Sequence, residues 1–304
     1  MSVTVNNVSK VYGEQKALDD ISFKINTGEI VAFLGPNGAG KSTMMKIITG
    51  FIPATSGQVT VNDIDINTGN IEIRKNIGYL PENNPLYPEM YVKEYLSFAA
   101  SIYKPKEPVK KMVDTVIEIT GLEPECKKKI GSLSKGYRQR VGLAQALIHN
   151  PDVLILDEAT SGLDPNQIVE IRNLIKEAGK EKTVMLSTHI MQEVEAICDR
   201  IIILDKGKIK ADAGKDKIYS IINRKKNIII AEFDKTAEAG ELLNIAGVKR
   251  VTGSGSSKWI IETESENDIR PAIFEFAVRN KLTILALKTE ESNLEEVFRH
   301  LTKN

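Results

Sequence analysis

The sequence predicts an α/β layer fold built on a parallel sheet, followed by a small α+β domain. Three observations carry that prediction. Short apolar runs alternate with amphipathic stretches over the first 220 residues. Two of those runs, Val153-Leu154-Ile155-Leu156 and Ile201-Ile202-Ile203-Leu204, are apolar at every position, as strands covered on both faces of a parallel sheet require. Near residue 220 the pattern shifts to a different order of strands and helices. Alternation of the first kind implies right-handed crossovers packed on the faces of one sheet.

Taken in order, strands are predicted over residues 3–5, 21–25, 29–34, 153–157, 184–187 and 200–204. Helices are predicted over 41–49, 136–149, 165–178 and 189–197. Between about 85 and 132 an all-helical insert interrupts the alternation. Val92, Tyr95, Leu96, Ala99 and Ile102 recur at helical spacing, as do Val109, Met112, Val113, Val116 and Ile117. Pro105 and Pro108 separate the two helices.

Residues 221–304 read as a strand over 227–233, a helix near 237–245, strands over 248–252 and 258–263, a helix from about 267 to 280, and a strand over 282–287. The cluster Gly253-Ser254-Gly255-Ser256-Ser257 turns the chain between the middle strands. The order βαββαβ is the ferredoxin-like split arrangement. A last helix opens on a capping box of Ser292 and Glu295 and aligns Leu294, Val297, Phe298 and Leu301 on one face. Two domains are expected, 1–220 and 221–304.

Composition excludes several function classes. The 304 residues carry 41 Lys+Arg against 41 Asp+Glu, and residues 221–304 alone hold equal numbers of each. Neither part has the basic excess that tracks nucleic-acid phosphates or anionic lipid, so no nucleic-acid partner is expected. No apolar run approaches the roughly 18 to 20 residues of a membrane helix. Residues 1–5 lack a charged stretch followed by an apolar one, so no secretory signal is expected. Cys126 and Cys198 stand far apart, outside any C-x-x-C pattern, which argues against a disulfide framework or a zinc site. A cytoplasmic protein is expected.

The chemistry concentrates in a few motifs. Gly35-Pro36-Asn37-Gly38-Ala39-Gly40-Lys41-Ser42-Thr43 fits G-x-x-x-x-G-K-[ST], between a predicted strand and a predicted helix. Glycines let successive backbone N–H groups curl around phosphate oxygens, and the helix start adds positive partial charge. Lys41 then meets the β- and γ-phosphates, and the Ser42 hydroxyl reaches Mg²⁺. The apolar run 153–156 ends in Asp157 and Glu158. There Asp157 is placed to hold Mg²⁺ and Glu158 to polarise the attacking water. Leu133-Ser134-Lys135-Gly136-Tyr137 opens a helix, with Ser134 a natural N-cap, and a Ser, a Gly and a helix start also make a second anion site.

This ordered set resembles the ATP-binding subunits of ABC transporters, P-loop NTPases whose signature reads LSGGQ. Lys135 and Tyr137 depart from that signature, while Ser134 and Gly136, its nucleotide-contacting positions, are kept. Ser161-Gly162-Leu163-Asp164 resembles the family's D-loop, and Ser187-Thr188-His189 its switch histidine, which implies that His189 senses the γ-phosphate. Tyr12 resembles the aromatic residue that stacks on adenine. In Ile77-Gly78-Tyr79-Leu80-Pro81-Glu82 a glutamate stands where the family usually has Gln. Glu82 can still ligate Mg²⁺, but it adds negative charge and donates no hydrogen bond when ionised.

The resemblance covers residues 1 to about 220 and implies ATP and Mg²⁺ as cofactors. It also implies two chains paired head to tail, with Ser134, Gly136 and Asp164 meeting nucleotide across the pair. Transmembrane permease subunits, driven through the helical insert, would place the protein on the inner face of the cell membrane. The accessory domain is similar to those of export-type systems, and the stretches 78–87 and 294–298 look most like gliding-motility ATPase subunits. Three alternatives stand beside this reading: a soluble ABC ATPase acting on ribosomes or DNA, a regulatory module with degraded catalysis, and an import-type subunit. One motif set, neutral charge and the presence of both Glu158 and His189 weigh against the first two. The ferredoxin-like domain weighs against the third.

Overall fold

The computed structural model describes residues 2–68, 71–218, 227–253, 257–263, 268–290 and 294–302. The chain divides into two compact units, residues 1–215 with 301–304, and residues 216–300.

The first unit opens with β1 (Val3–Tyr12), β2 (Gln15–Ile25) and β3 (Ile30–Leu34), followed by helix α1 (Lys41–Ile48), then β4 (Ser56–Val61), β5 (Ile64–Asp65) and β6 (Ile77–Leu80). Two helices of the insert, α2 (Val92–Ile102) and α3 (Val109–Thr120), come next. The remainder alternates through α4 (Lys135–Leu147), β7 (Val153–Asp157), α5 (Pro165–Gly179), β8 (Thr183–Thr188), α6 (Met191–Ile197), β9 (Arg200–Asp205) and β10 (Lys208–Gly214).

Two sheets result. Strands β2-β1-β4-β5 form an antiparallel sheet, and β10-β9-β3-β8-β7-β6 a larger one, parallel except for β10. The strands predicted from unbroken apolar runs, β7 and β9, lie inside the larger sheet together with β3, and β3 and β7 are buried at every position. A shared core joins Val3, Val5, Ile25 and Val59 of the antiparallel sheet to Phe33, Met44, Met45 and Ile155. Phe23 and Phe33 meet edge to face with ring centroids 5.1 Å apart.

The structure corrects several boundaries. The strand expected at 3–5 runs on to Tyr12 as a long, bulged partner of β2, with register shifts after Val5 and Val8. Residues 77–80, outside the predicted strands, form the edge strand β6 paired with β7. The helix expected at 189–197 starts only at Met191, so His189 lies in the connection after β8.

A short helix α7 (Lys215–Ile218) is followed by the strands and helices of the second unit. These are β11 (Asn227–Phe233), α8 (Ala239–Leu243), β12 (Val248–Gly253), β13 (Lys258–Thr263), α9 (Arg270–Arg279) and β14 (Ile284–Glu290). The sheet order β12-β13-β11-β14 with antiparallel neighbours is that of the split βαββαβ arrangement. One face packs Ile229, Phe233, Trp259 and Ile261 against Leu242, Ile273 and Phe276. The final helix α10 (Leu294–Thr302) buries Leu294 and Val297. Ser292 of the expected capping box, the turn residues Ser254, Gly255 and Ser256, and Asn267 lie outside the described residues.

Candidate nucleotide site

Strand β3 delivers the chain into residues 35–40, and α1 begins at Lys41 with Gly40 as its N-cap at φ 108°. Side chains rarely adopt that conformation, and a Cβ there would stand 2.6 Å from the Ala17 carbonyl oxygen, so only glycine fits. The first N–H groups of a helix have no partner within it and carry positive partial charge. Lys41, 6% exposed, donates from Nζ to the carbonyls of Gly35 at 2.7 Å and Pro36 at 3.2 Å. Burial lowers its pKa, while the charges of Glu158, Asp157 and Glu82 act in the other direction.

Because β8 lies between β3 and β7, the C-terminal ends of three parallel strands converge beneath this loop. Such convergence is where open α/β sheets place their sites. Asp157 closes β7 and is almost fully buried. Its Oδ1 accepts from Ser42 Oγ at 3.0 Å and from Ser187 Oγ at 2.5 Å. Glu158 follows at φ 53°, a left-handed backbone uncommon outside glycine. Its N–H is held by the carbonyl and hydroxyl oxygens of Ser187, both at 3.2 Å. Strain of this kind persists where surrounding bonds over-determine it, and it clusters at functional sites. His189 Nδ1 lies 2.8 Å from Glu158 Oε2. Burial raises the Glu158 pKa, and the charges of His189 and Lys41 pull against it.

A cleft of about 530 Å³ gathers Tyr12, Asn37, Gly38, Ala39, Gly40, Lys41, Ser42, Thr43, Glu82, Glu158 and His189, with Gln15, Ala17 and Ser161 completing its wall. Gly35 and Pro36 stand behind it, turned to Lys41 through their carbonyls. Asp157 opens on an adjoining hollow of about 410 Å³ that it shares with Ser42 and Glu82. A larger hollow of about 650 Å³, walled by Met112, Val116, Ile119 and Leu174, contains none of these groups. Chemistry, not size, selects the cleft.

The sequence-predicted residues fall into two groups. Ser134, Gly136 and Asp164 do not line the cleft. Ser134 caps α4, accepting the Tyr137 N–H at 3.3 Å, and Asp164 caps α5, accepting the Gln167 N–H at 2.9 Å. A Cβ on Gly136 would lie 2.5 Å from the Gln167 side chain, so the two helix starts pack directly on each other. Gln15 and Ala17 carry no sequence signal for a site, and Ser161 has one only as the first residue of Ser161-Gly162-Leu163-Asp164. Ser187 was named only within its motif, and its bond to Asp157 needed the strand order to become visible.

A phosphate loop between a parallel strand and a helix, with its lysine and hydroxyl facing a buried aspartate two strands away, defines a P-loop NTPase. Comparison with known proteins narrows the class. The family model for ABC transporters matches residues 18–161, and that for the C-terminal domain of DrrA1-3-like ATP-binding proteins matches residues 207–302. The linearmycin resistance ATP-binding protein LnrL of Bacillus subtilis (strain 168) is 35% identical over 310 residues, covering 97% of this chain and 96% of its own. The bacitracin transport ATP-binding protein BcrA of Bacillus licheniformis is 39% identical over 209 residues, 68% of each chain. Among solved structures, the dimeric post-hydrolysis ATP-binding cassette MJ0796 bound to ADP and Pi aligns with a TM-score of 0.65 at 30% identity. That alignment covers 70% of this chain and 98% of the cassette. The chain belongs to the ATP-binding subunits of ABC transporters, a family of ATPases.

Proposed function

We propose that two copies of this chain close head to tail on two ATP molecules, hydrolyse them, and so drive the membrane subunits of an export-type transporter. What supports this most is the Ser42–Asp157–Ser187 junction beneath the phosphate loop, with the Glu158–His189 pair beside it. Lys41 and the loop N–H groups would hold the phosphates. Tyr12, half exposed at the cleft with Lys10 Nζ 5.0 Å from its ring centroid, would stack on the adenine. Ser134, Gly136 and Asp164, which do not line their own cleft, would complete the partner's. The dimeric cassette MJ0796 supports such pairing.

Ser42, Asp157 and Glu82 suit Mg²⁺, which is commonly held by one or two carboxylates and finished by phosphate oxygens and water. Among the described residues no group of three or more His, Cys, Asp and Glu forms a cage for a metal, which agrees with that mode. When bound, the ion neutralises charge on the transferring phosphoryl group. Glu82→Gln removes one negative ligand and is expected to raise the Mg²⁺ concentration for half-maximal turnover about 3–10-fold, with kcat within about threefold. A midpoint that does not move in a Mg²⁺ titration would take Glu82 out of the ion's shell.

Glu158 would accept a proton from the attacking water, held for the task by His189. A base works deprotonated, so the acidic limb of the kcat profile tracks the Glu158 pKa. His189→Ala removes a hydrogen bond and a charge that both oppose the upward push of burial. The pKa then rises further, and the acidic limb of the residual ATPase should move to higher pH. A limb left in place would separate the two residues.

The insert offers the membrane subunits an exposed apolar surface in Tyr87, Tyr91, Phe98 and Ile102, with the Tyr87 and Phe98 rings 6.2 Å apart. Among the described residues no helix is long and apolar enough to cross a membrane, so the path for cargo would belong to those subunits, with this chain on their inner face. LnrL and BcrA, named for antibiotic resistance and transport, support the export reading. Scoring a deletion strain for antibiotic sensitivity and surface motility tests it. Lost resistance supports export of a toxic compound, and lost motility would favour a gliding-motility system.

A further inference from the structure

One buried acid has no part in that mechanism. Glu193 lies in α6, only 3% exposed, and its carboxyl group takes two hydroxyl bonds. Thr188 Oγ1 donates to Oε2 at 2.7 Å, and Thr160 Oγ1 donates to Oε1. Both threonines are buried as well. Thr188 Oγ1 also accepts the Ile190 N–H at 3.0 Å, which aims its own proton at Glu193. Burying an acid is costly unless its oxygens are satisfied. In the first turn of a helix, a glutamate is ordinarily satisfied by the helix end and water. Here it is satisfied by two segments outside its own helix.

Those segments are the ones that matter. Thr160 follows Glu158 by two residues, and Thr188 precedes His189 by one. Glu158 and His189 leave different strands, β7 and β8, and touch directly across 2.8 Å. Glu193 joins the same two segments a second time, through side chains that do not line the cleft.

We propose that Glu193 is a positioning residue, a clamp that holds the Glu158 segment to the His189 segment and so keeps their contact in register. This rests on Glu158 and His189 being the hydrolytic pair. Since Lys41 and its loop belong to β3 and α1, the clamp acts on turnover and not on nucleotide affinity.

The test is steady-state ATPase on Glu193→Leu, Glu193→Gln and Thr160→Val, in the wild-type chain and with His189→Ala. Glu193→Leu strands two buried hydroxyls and should lower kcat about 10–100-fold with KM for ATP within about threefold. Glu193→Gln still bridges both hydroxyls and should recover kcat to within about threefold of wild type. With His189 already removed, Glu193→Leu should cost less than about threefold more, because its effect runs through that residue. Thr160→Val removes one bond and should lower kcat about 3–10-fold, giving a readout if the leucine variant does not fold. The proposal is overturned if both apolar variants keep wild-type kcat, if the loss appears in KM, or if it multiplies in full with His189→Ala. Glu158→Gln runs alongside. Retained turnover there overturns the hydrolytic pair itself, an outcome distinct from failure of the clamp.

Discussion

Glu158→Gln is expected to bind ATP within about threefold of the wild-type affinity and to hydrolyse it about 1000-fold more slowly. The substitution is nearly isosteric and leaves the phosphate loop untouched. An amide cannot take a proton from water, however, and its Nε2 faces a His189 that is now offered a donor where it had an acceptor. The backbone at Glu158 is already held at φ 53° by Ser187, so the change falls on the side chain alone. Phosphate release at saturating ATP, beside a direct binding measurement, checks it. A variant that turns over at the wild-type rate would show that another group activates the water.

Lys41→Ala is the second large effect, and it falls on binding. The ammonium is buried among loop carbonyls and faces three carboxylates, and in the proposed site it is the cation that would meet the phosphates. A charge-assisted bond is worth about 1.5–3 kcal/mol. Each 1.4 kcal/mol is tenfold, so ATP affinity should fall about 10–100-fold. Alanine also releases the Gly35 and Pro36 carbonyls, so a melting curve belongs beside the titration. Unchanged affinity in a folded variant would count against the phosphate loop as the nucleotide cradle.

Much of this site was legible because its chemistry is local in sequence. Glycine, lysine and serine at fixed spacing after an apolar strand need no tertiary information to be read as a phosphate loop. The aspartate that closes an apolar run is equally plain. β7 and β9 were visible because strands covered on both faces are apolar throughout. Most of the antiparallel sheet, and the edge strand β10 of the larger one, were missed for the opposite reason. β4 reads Ser56-Gly57-Gln58 before its first buried residue, and β10 carries Lys208, Lys210 and Asp212 among its seven residues, so neither shows an apolar pattern until paired. β6, only four residues long, takes its strand character from β7.

Pairings across strands were not legible at all. Ser187 bonds Asp157 because β8 lies beside β7. Glu193 looks in sequence like an ordinary acid in a first helical turn, and only burial shows what it holds. Ser134 and Asp164 carry a motif signal in sequence, and in the structure they act as helix caps and do not line the chain's own cleft.

That separation leads to the most direct measurement. If the cap group of one copy completes the cleft of another, Glu158→Gln should be a monomer without nucleotide and a dimer in Mg²⁺ and ATP, as read by light scattering. Adding Ser134→Arg to it should keep ATP binding within about threefold and abolish the dimer. A Glu158→Gln chain that binds ATP and remains a monomer, or a dimer indifferent to Ser134→Arg, would contradict the shared site.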